Sequence, residues 1–104
     1  MHYGSHMVHI VTTPQFDKWI GNLRDKVAVA RVRARIDMLS VGNPGDVKPV
    51  GSGVSEMRIN FGPGYRVYYV QKGLIVIVIL CGGDKSSQRD DIKRAIQLSR
   101  EIEV

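Results

Sequence analysis

Val54-Ser55-Glu56-Met57-Arg58-Ile59-Asn60-Phe61, followed by Gly62-Pro63-Gly64 and Tyr65-Arg66-Val67-Tyr68-Tyr69-Val70, alternates apolar and polar residues on both sides of a glycine-proline turn. Period-two alternation interrupted by turn residues predicts a β-hairpin. A three-residue loop would pair Phe61 with Tyr65, Ile59 with Val67 and Met57 with Tyr69, keeping the apolar side chains on one face. The other face then carries Glu56, Arg58, Asn60, Arg66 and Tyr68. A two-residue loop would set Arg66 beside Ile59 on the core side, where an unpaired guanidinium is very costly, so that register is rejected.

On the C-terminal side, the run from Leu74 to Cys81 is apolar on both parities. That pattern predicts an interior strand covered on both faces, at the centre of the sheet. Gly82-Gly83 ends it. Ser86 or Ser87 can then cap a last helix with Ile92, Ala95, Ile96, Ser99 and Ile102 along one side.

On the N-terminal side, Val8 to Thr12 reads as a short strand. Thr13-Pro14 is a helix start, a hydroxyl cap followed by proline where a missing N–H costs nothing. Phe16, Trp19, Ile20 and Leu23 fall at i, i+3, i+4 and i+7, which makes Trp19 a core residue before it is a ligand platform. Asp25 can cap a second helix whose Val29, Val32, Ile36 and Leu39 share a face. Gly42 and Asn43-Pro44-Gly45 end that helix, so the first two helices form a hairpin. Arg31 and Arg35 stack one turn apart on the helix's solvent side and could meet phosphates, although such pairs are often simply solvated. Gly42 to Gly53, carrying Lys48, reads as a loop. The expected class is α+β: a small, mostly antiparallel sheet with an N-terminal helical hairpin and a C-terminal helix, in the order β-α-α-β-β-β-α.

The chain has 104 residues, 43% apolar and 24% charged, which suits one domain with a modest core. Residues 1–7 contain Gly-Ser-His-Met and look like the remnant of an expression tag, leaving 8–104 as the domain and removing His2 and His6 from any chemical role. No apolar run approaches the roughly 20 residues of a membrane-spanning helix, so no membrane is expected. A single cysteine, Cys81, forms no internal disulfide, and His9 alone gives no zinc set. A cytoplasmic protein without metal or small-molecule cofactor is the expectation.

Fifteen Lys and Arg against ten Asp and Glu give a net charge of +5, and from Asp84 onward five basic residues balance five acidic ones. The surplus therefore lies before Asp84, which suits an anionic partner such as nucleic acid. The Gly-x4-Gly-Lys-Ser/Thr spacing of a phosphate-binding loop is absent around Gly83-Asp84-Lys85-Ser86, and no Ser-His-acid or Cys-His pair is available. The polar hairpin face remains, with Lys85 emerging beside it. Arginine's planar fork matches phosphate oxygens, so a phosphodiester is its natural substrate. The plainer reading is a salt-bridged sheet face in which Glu56 pairs with Arg58.

Four blocks bear on that choice: Gly45-Asp46-Val47-Lys48-Pro49-Val50-Gly51, Ser55-Glu56-Met57-Arg58-Ile59, Gly62-Pro63-Gly64-Tyr65-Arg66-Val67-Tyr68-Tyr69 and Cys81-Gly82-Gly83-Asp84-Lys85-Ser86-Ser87-Gln88. With the order of elements, they resemble the HigB-like addiction-module toxins of the RelE/ParE superfamily over nearly the whole chain from Val8. The resemblance implies a RelE-like fold and the toxin of a type II toxin-antitoxin system. Such a toxin is an endoribonuclease that cleaves mRNA on the ribosome and is silenced by a cognate helix-turn-helix antitoxin. It carries catalytic roles onto Arg66, Arg58 and Lys85.

Metal-free RNA cleavage uses the ribose 2′-OH as nucleophile, so the protein must hold in-line geometry, stabilise phosphoryl charge and manage two protons. Guanidinium groups suit the charge but exchange protons poorly at neutral pH. Proton work then falls to Glu56, Lys85 or a tyrosine such as Tyr68. Lys48, Asn60, Tyr68, Arg31 and Arg35 are the expected RNA contacts. Related toxins often place a histidine or tyrosine near the C-terminal end, and this sequence has neither there, which leaves the acid and base open. The rival readings are a gyrase-poisoning ParE-like toxin and a decayed toxin that binds RNA without cutting it.

Overall fold

A computed structural model describes residues 8–102; the tag reading of residues 1–7 falls outside them. Along the chain run β1 (His9–Thr12), α1 (Pro14–Asn22), α2 (Lys26–Ser40), β2 (Val47–Gly51), β3 (Val54–Ile59), β4 (Tyr65–Lys72), β5 (Val76–Gly83) and, after a 3-10 turn over Lys85–Ser87, α3 (Gln88–Glu101). The five strands form one mixed sheet in the order β1-β5-β4-β3-β2, with β1 parallel to β5 and the other pairs antiparallel. The protein is α+β. None of the described helices is long and apolar enough to cross a membrane.

Strand parity sorts the core into two layers. Met57, Ile59, Tyr65, Val67, Tyr69, Ile77 and Ile79 face α1 and α2, which supply Phe16, Ile20, Ala28, Val32 and Leu39. Val54, Tyr68, Val70, Val78, Leu80 and Cys81 face α3 and its buried Ala95. Leu80 and Cys81 lie on the same face because the β4–β5 register jumps between Tyr68 and Tyr69, so both oppose Tyr68 in a β-bulge.

The caps of α1 and α2 follow the sequence: the Thr13 hydroxyl accepts from the Phe16 N–H, and the Asp25 carboxylate from the N–H groups of Val27 and Ala28. Four expectations are corrected. Residues 47 to 51 form an edge strand instead of part of a loop, with Val47 and Val50 half-buried and Lys48 and Pro49 exposed. The Gly-Pro content hid it, because proline is tolerated on an edge and the turn at Ser52-Gly53 is made of residues at positive φ.

Next, the β3–β4 hairpin pairs Ile59 with Tyr65 and Met57 with Val67, two residues away from the expected register. Its loop is five residues, 60–64, because the Phe61 N–H bonds back to the Ile59 carbonyl and the Gly64 N–H to that of Phe61, with Gly62 and Gly64 at positive φ. A shift of two preserves every facing assignment and sets Arg58 directly opposite Arg66.

The apolar strand begins at Val76, since β4 runs on to Lys72 and the turn leaves Leu74 and Ile75 exposed. It is an interior strand, but β4 holds the middle of the sheet. Finally, Ser87 stands at the N-cap of α3 as expected, but its hydroxyl makes no capping bond to that helix and donates to buried Asp91 instead, while Asp84 caps the preceding 3-10 turn by accepting from the Ser86 N–H.

Candidate functional site

The C-terminal end of β3, the start of β4 and the end of β5 meet at one edge of the molecule. There Arg58, Arg66 and Lys85 surround an open cleft of about 420 Å³, closed on the far side by Asn60, the Phe61–Gly64 turn and Tyr65. The three cations picked from the sequence are thus brought together by β3, β4 and the 3-10 turn that follows β5. Arg58 is 34% exposed and Arg66 13%, whereas Lys85 stands in solvent.

Two guanidinium groups facing each other across a strand pair repel, and the compensating anion is Glu56. Its carboxylate is 0% exposed. Arg58 Nε donates to Glu56 Oε1 at 3.2 Å, and Tyr68 Oη donates to Oε2 at 3.0 Å. Gln88 Nε2, from the first turn of α3, donates to Oε2 at 2.8 Å, and Arg66 Nε lies 3.7 Å from the same oxygen. Burial alone pushes the Glu56 carboxyl up. The hydrogen bonds from Gln88, Tyr68 and Arg58 and the Arg66 charge outweigh it, so the group is held below the usual carboxylate range. Arg66 also donates to the Gly64 carbonyl at 2.8 Å, while its Nε is buried without a hydrogen-bond partner.

Tyr68 does not stand on an open polar surface. It is fully buried under α3, and burial followed by the neighbouring Glu56 charge drives its hydroxyl far above the normal tyrosine range. Tyr68 therefore offers RNA no exposed surface in this structure, and its hydroxyl is spent on Glu56. The error has a physical source: the face that reads as polar in the hairpin becomes a covered layer once α3 packs across it.

Among the remaining predicted contacts, Asn60 is exposed and lines the cleft. Arg35 is occupied: its guanidinium donates to the carbonyls of Arg58 and Pro44 and reaches Asp46, pinning the approach to β2 against β3. It is a structural staple instead of a free phosphate contact. Arg31 is exposed, sits 4.6 Å over the Phe61 ring, and shares a groove of about 310 Å³ with Asn60 and Ile59. Lys48 is exposed on β2, opposite Glu56 in register, and does not line the cleft.

Sequence reasoning missed Gln88, because an amide at the start of a helix gives no signal of what it will face across the fold. The lone cysteine is chemically quiet: burial, with Asp91 nearby, pushes the Cys81 thiol up to about 12 despite Arg94.

The fold and cleft define a small α+β protein with a cationic site built around one buried carboxylate. An uncharacterized protein of Haemophilus influenzae (strain ATCC 51907 / DSM 11121 / KW20 / Rd) is 45% identical to it over 95 residues, 91% of this chain and 96% of that protein. The chain belongs to the same family as that protein. No family model matches the chain.

Proposed function

We propose that this chain is a HigB-like toxin of the RelE/ParE superfamily with a RelE-like fold, a metal-independent endoribonuclease that cleaves mRNA on the ribosome. Its natural silencer is a helix-turn-helix antitoxin. The observation that carries this reading is the convergence of Arg58, Arg66 and Lys85 on one cleft, with both arginines turned toward a single buried anion. A salt-bridged sheet face alone would need neither the cleft nor a third cation at its mouth.

In the reaction, the 2′-oxygen attacks the adjacent phosphorus as the bond from phosphorus to the 5′-oxygen breaks, leaving a 2′,3′-cyclic phosphate and a 5′-hydroxyl. One proton leaves the 2′-OH and one reaches the departing 5′-oxygen. Arg58 and Arg66 hold the non-bridging oxygens, where negative charge grows. Lys85 stands where an ammonium can steady or protonate the leaving oxygen. The described residues that line the cleft include no carboxylate or imidazole, and we assign much of the in-line geometry to the ribosome's positioning of the message.

Mapping transcript 5′ ends after induced expression in a bacterial host tests this. New 5′ ends within translated messages, with DNA supercoiling unchanged, support it. Altered supercoiling with intact transcripts indicates a gyrase poison, and unaffected growth and transcripts indicate a binder that does not cut; either result overturns the proposal.

A further inference from the structure

We propose that Gln88 is a positioning residue for the Arg58–Arg66 pair, acting through Glu56, and that Glu56 serves as a fixed anion instead of a proton carrier. This rests on the reading of the cleft as a phosphodiester site.

A carboxylate that shuttles protons needs a free lone pair and a path to substrate. Glu56 lacks the path, being fully buried, and most of its lone pairs are taken: Oε1 accepts from Arg58, and Oε2 accepts from Tyr68 and Gln88 with Arg66 close by. An ionised carboxylate only accepts hydrogen bonds, which fixes the Gln88 amide with its NH2 inward and the Tyr68 hydroxyl as donor. The surroundings come from every neighbouring element: Arg58 on the same strand, Arg66 and Tyr68 on β4, Lys48 opposite on β2 and Gln88 on α3, with Asp91 acting on Tyr68. Gln88 makes the shortest of these bonds and is the one contributed by a helix, so it ties α3 to the base of the cleft.

Without that donor, burial is less well opposed and the carboxyl titrates at higher pH. A protonated Glu56 no longer holds two guanidinium groups toward one point, and the arginines lose their aim at the phosphate.

Carbon NMR titration of the Glu56 carboxyl provides a direct readout in wild type, Gln88→Ala and Gln88→Glu. It is paired with single-turnover cleavage on the ribosome and with binding of inorganic phosphate and of a short RNA blocked by 2′-methoxy at the cleavage position. In Gln88→Ala the Glu56 midpoint should move up and cleavage should fall about tenfold at mildly acidic pH, with recovery as pH rises. Gln88→Glu, a second carboxylate at 2.8 Å from the first, should move the midpoint further. Glu56→Gln should weaken binding of the blocked RNA as well as slow cleavage. A midpoint unmoved in both Gln88 variants overturns the inference, as does a Glu56→Gln protein that binds normally but does not cut. If wild type cuts no RNA, the ribonuclease reading fails by itself, and the titration and phosphate binding still decide the role of Gln88.

Discussion

Arg58 and Arg66 oppose each other across β3 and β4 with like charges, an arrangement that costs stability unless an anion sits between them. Glu56 is that anion, completely buried behind the two arginines, which both line the cleft, with Arg66 also donating to the Gly64 carbonyl. Removing one charge contact made in the transition state costs on the order of 3 kcal/mol, about a hundredfold in rate. Arg58→Ala and Arg66→Ala should each lose cleavage and toxicity to that degree while remaining folded, checked by ribosome-bound cleavage assays and circular dichroism. Full toxicity in both variants at matched expression removes the pair from the mechanism. Lys85 differs, being exposed and tied to neither carboxylate nor carbonyl by any hydrogen bond among the described residues. Lys85→Ala should therefore slow the cleavage step more than it weakens affinity, and the reverse pattern would make Lys85 a phosphate anchor only.

Two helices pack onto the sheet through two close approaches at the end of β5. The Trp19 indole from α1 lies directly on Gly82, and the Asp91 carboxylate from α3 lies against Gly83, so no β-carbon fits at either position. Gly82→Ala must displace a large ring packed between Phe16 and Tyr65, and overpacking of this kind costs about 1–3 kcal/mol. The variant should melt on the order of 10 °C lower, with a changed emission from the single tryptophan. Gly21, on the open side of α1, is the contrast: a β-carbon there meets nothing, and Gly21→Ala should stabilise by roughly 0.5–1 kcal/mol. These contacts mark what the sequence conveys and what it withholds. Thr13-Pro14, Asp25 and the apolar stripes announce α1 and α2, because caps and periodicity are local. β2 stayed hidden because its turn chemistry looks like a loop. The hairpin register slipped by two because nothing local distinguishes a three-residue from a five-residue glycine turn of the same parity. Glu56 and Tyr68 read as a polar surface because only the packing of α3 across β3 and β4 makes them a buried pair.

Over the whole molecule, the basic surplus before Asp84 was legible in the composition, whereas the hairpin pattern alone fitted a salt-bridged face and only the family resemblance singled out Arg58, Arg66 and Lys85. Their convergence was legible only in part: Arg35 resembles Arg31 in sequence, yet one is used up on backbone carbonyls and the other is free over Phe61. That difference sets the number of phosphates a bound strand can neutralise. For single-stranded nucleic acid the logarithm of affinity falls with the logarithm of salt at about −0.7 per phosphate neutralised. Arg58, Arg66 and Lys85 then give a slope near −2, or about a twentyfold loss of affinity between 50 and 200 mM salt. A strand continuing past Asn60 along α2 adds Arg31 and steepens the slope to about −2.8. The measurement is binding of the 2′-methoxy-blocked RNA across that salt range. Lys85→Ala and Arg31→Ala should each flatten the slope by about 0.7. Any charge that Lys48 lends from β2 should leave the slope unchanged on removal, because it lies outside the cleft lining. A slope near zero in wild type would mean that the cleft does not take a phosphate backbone at all.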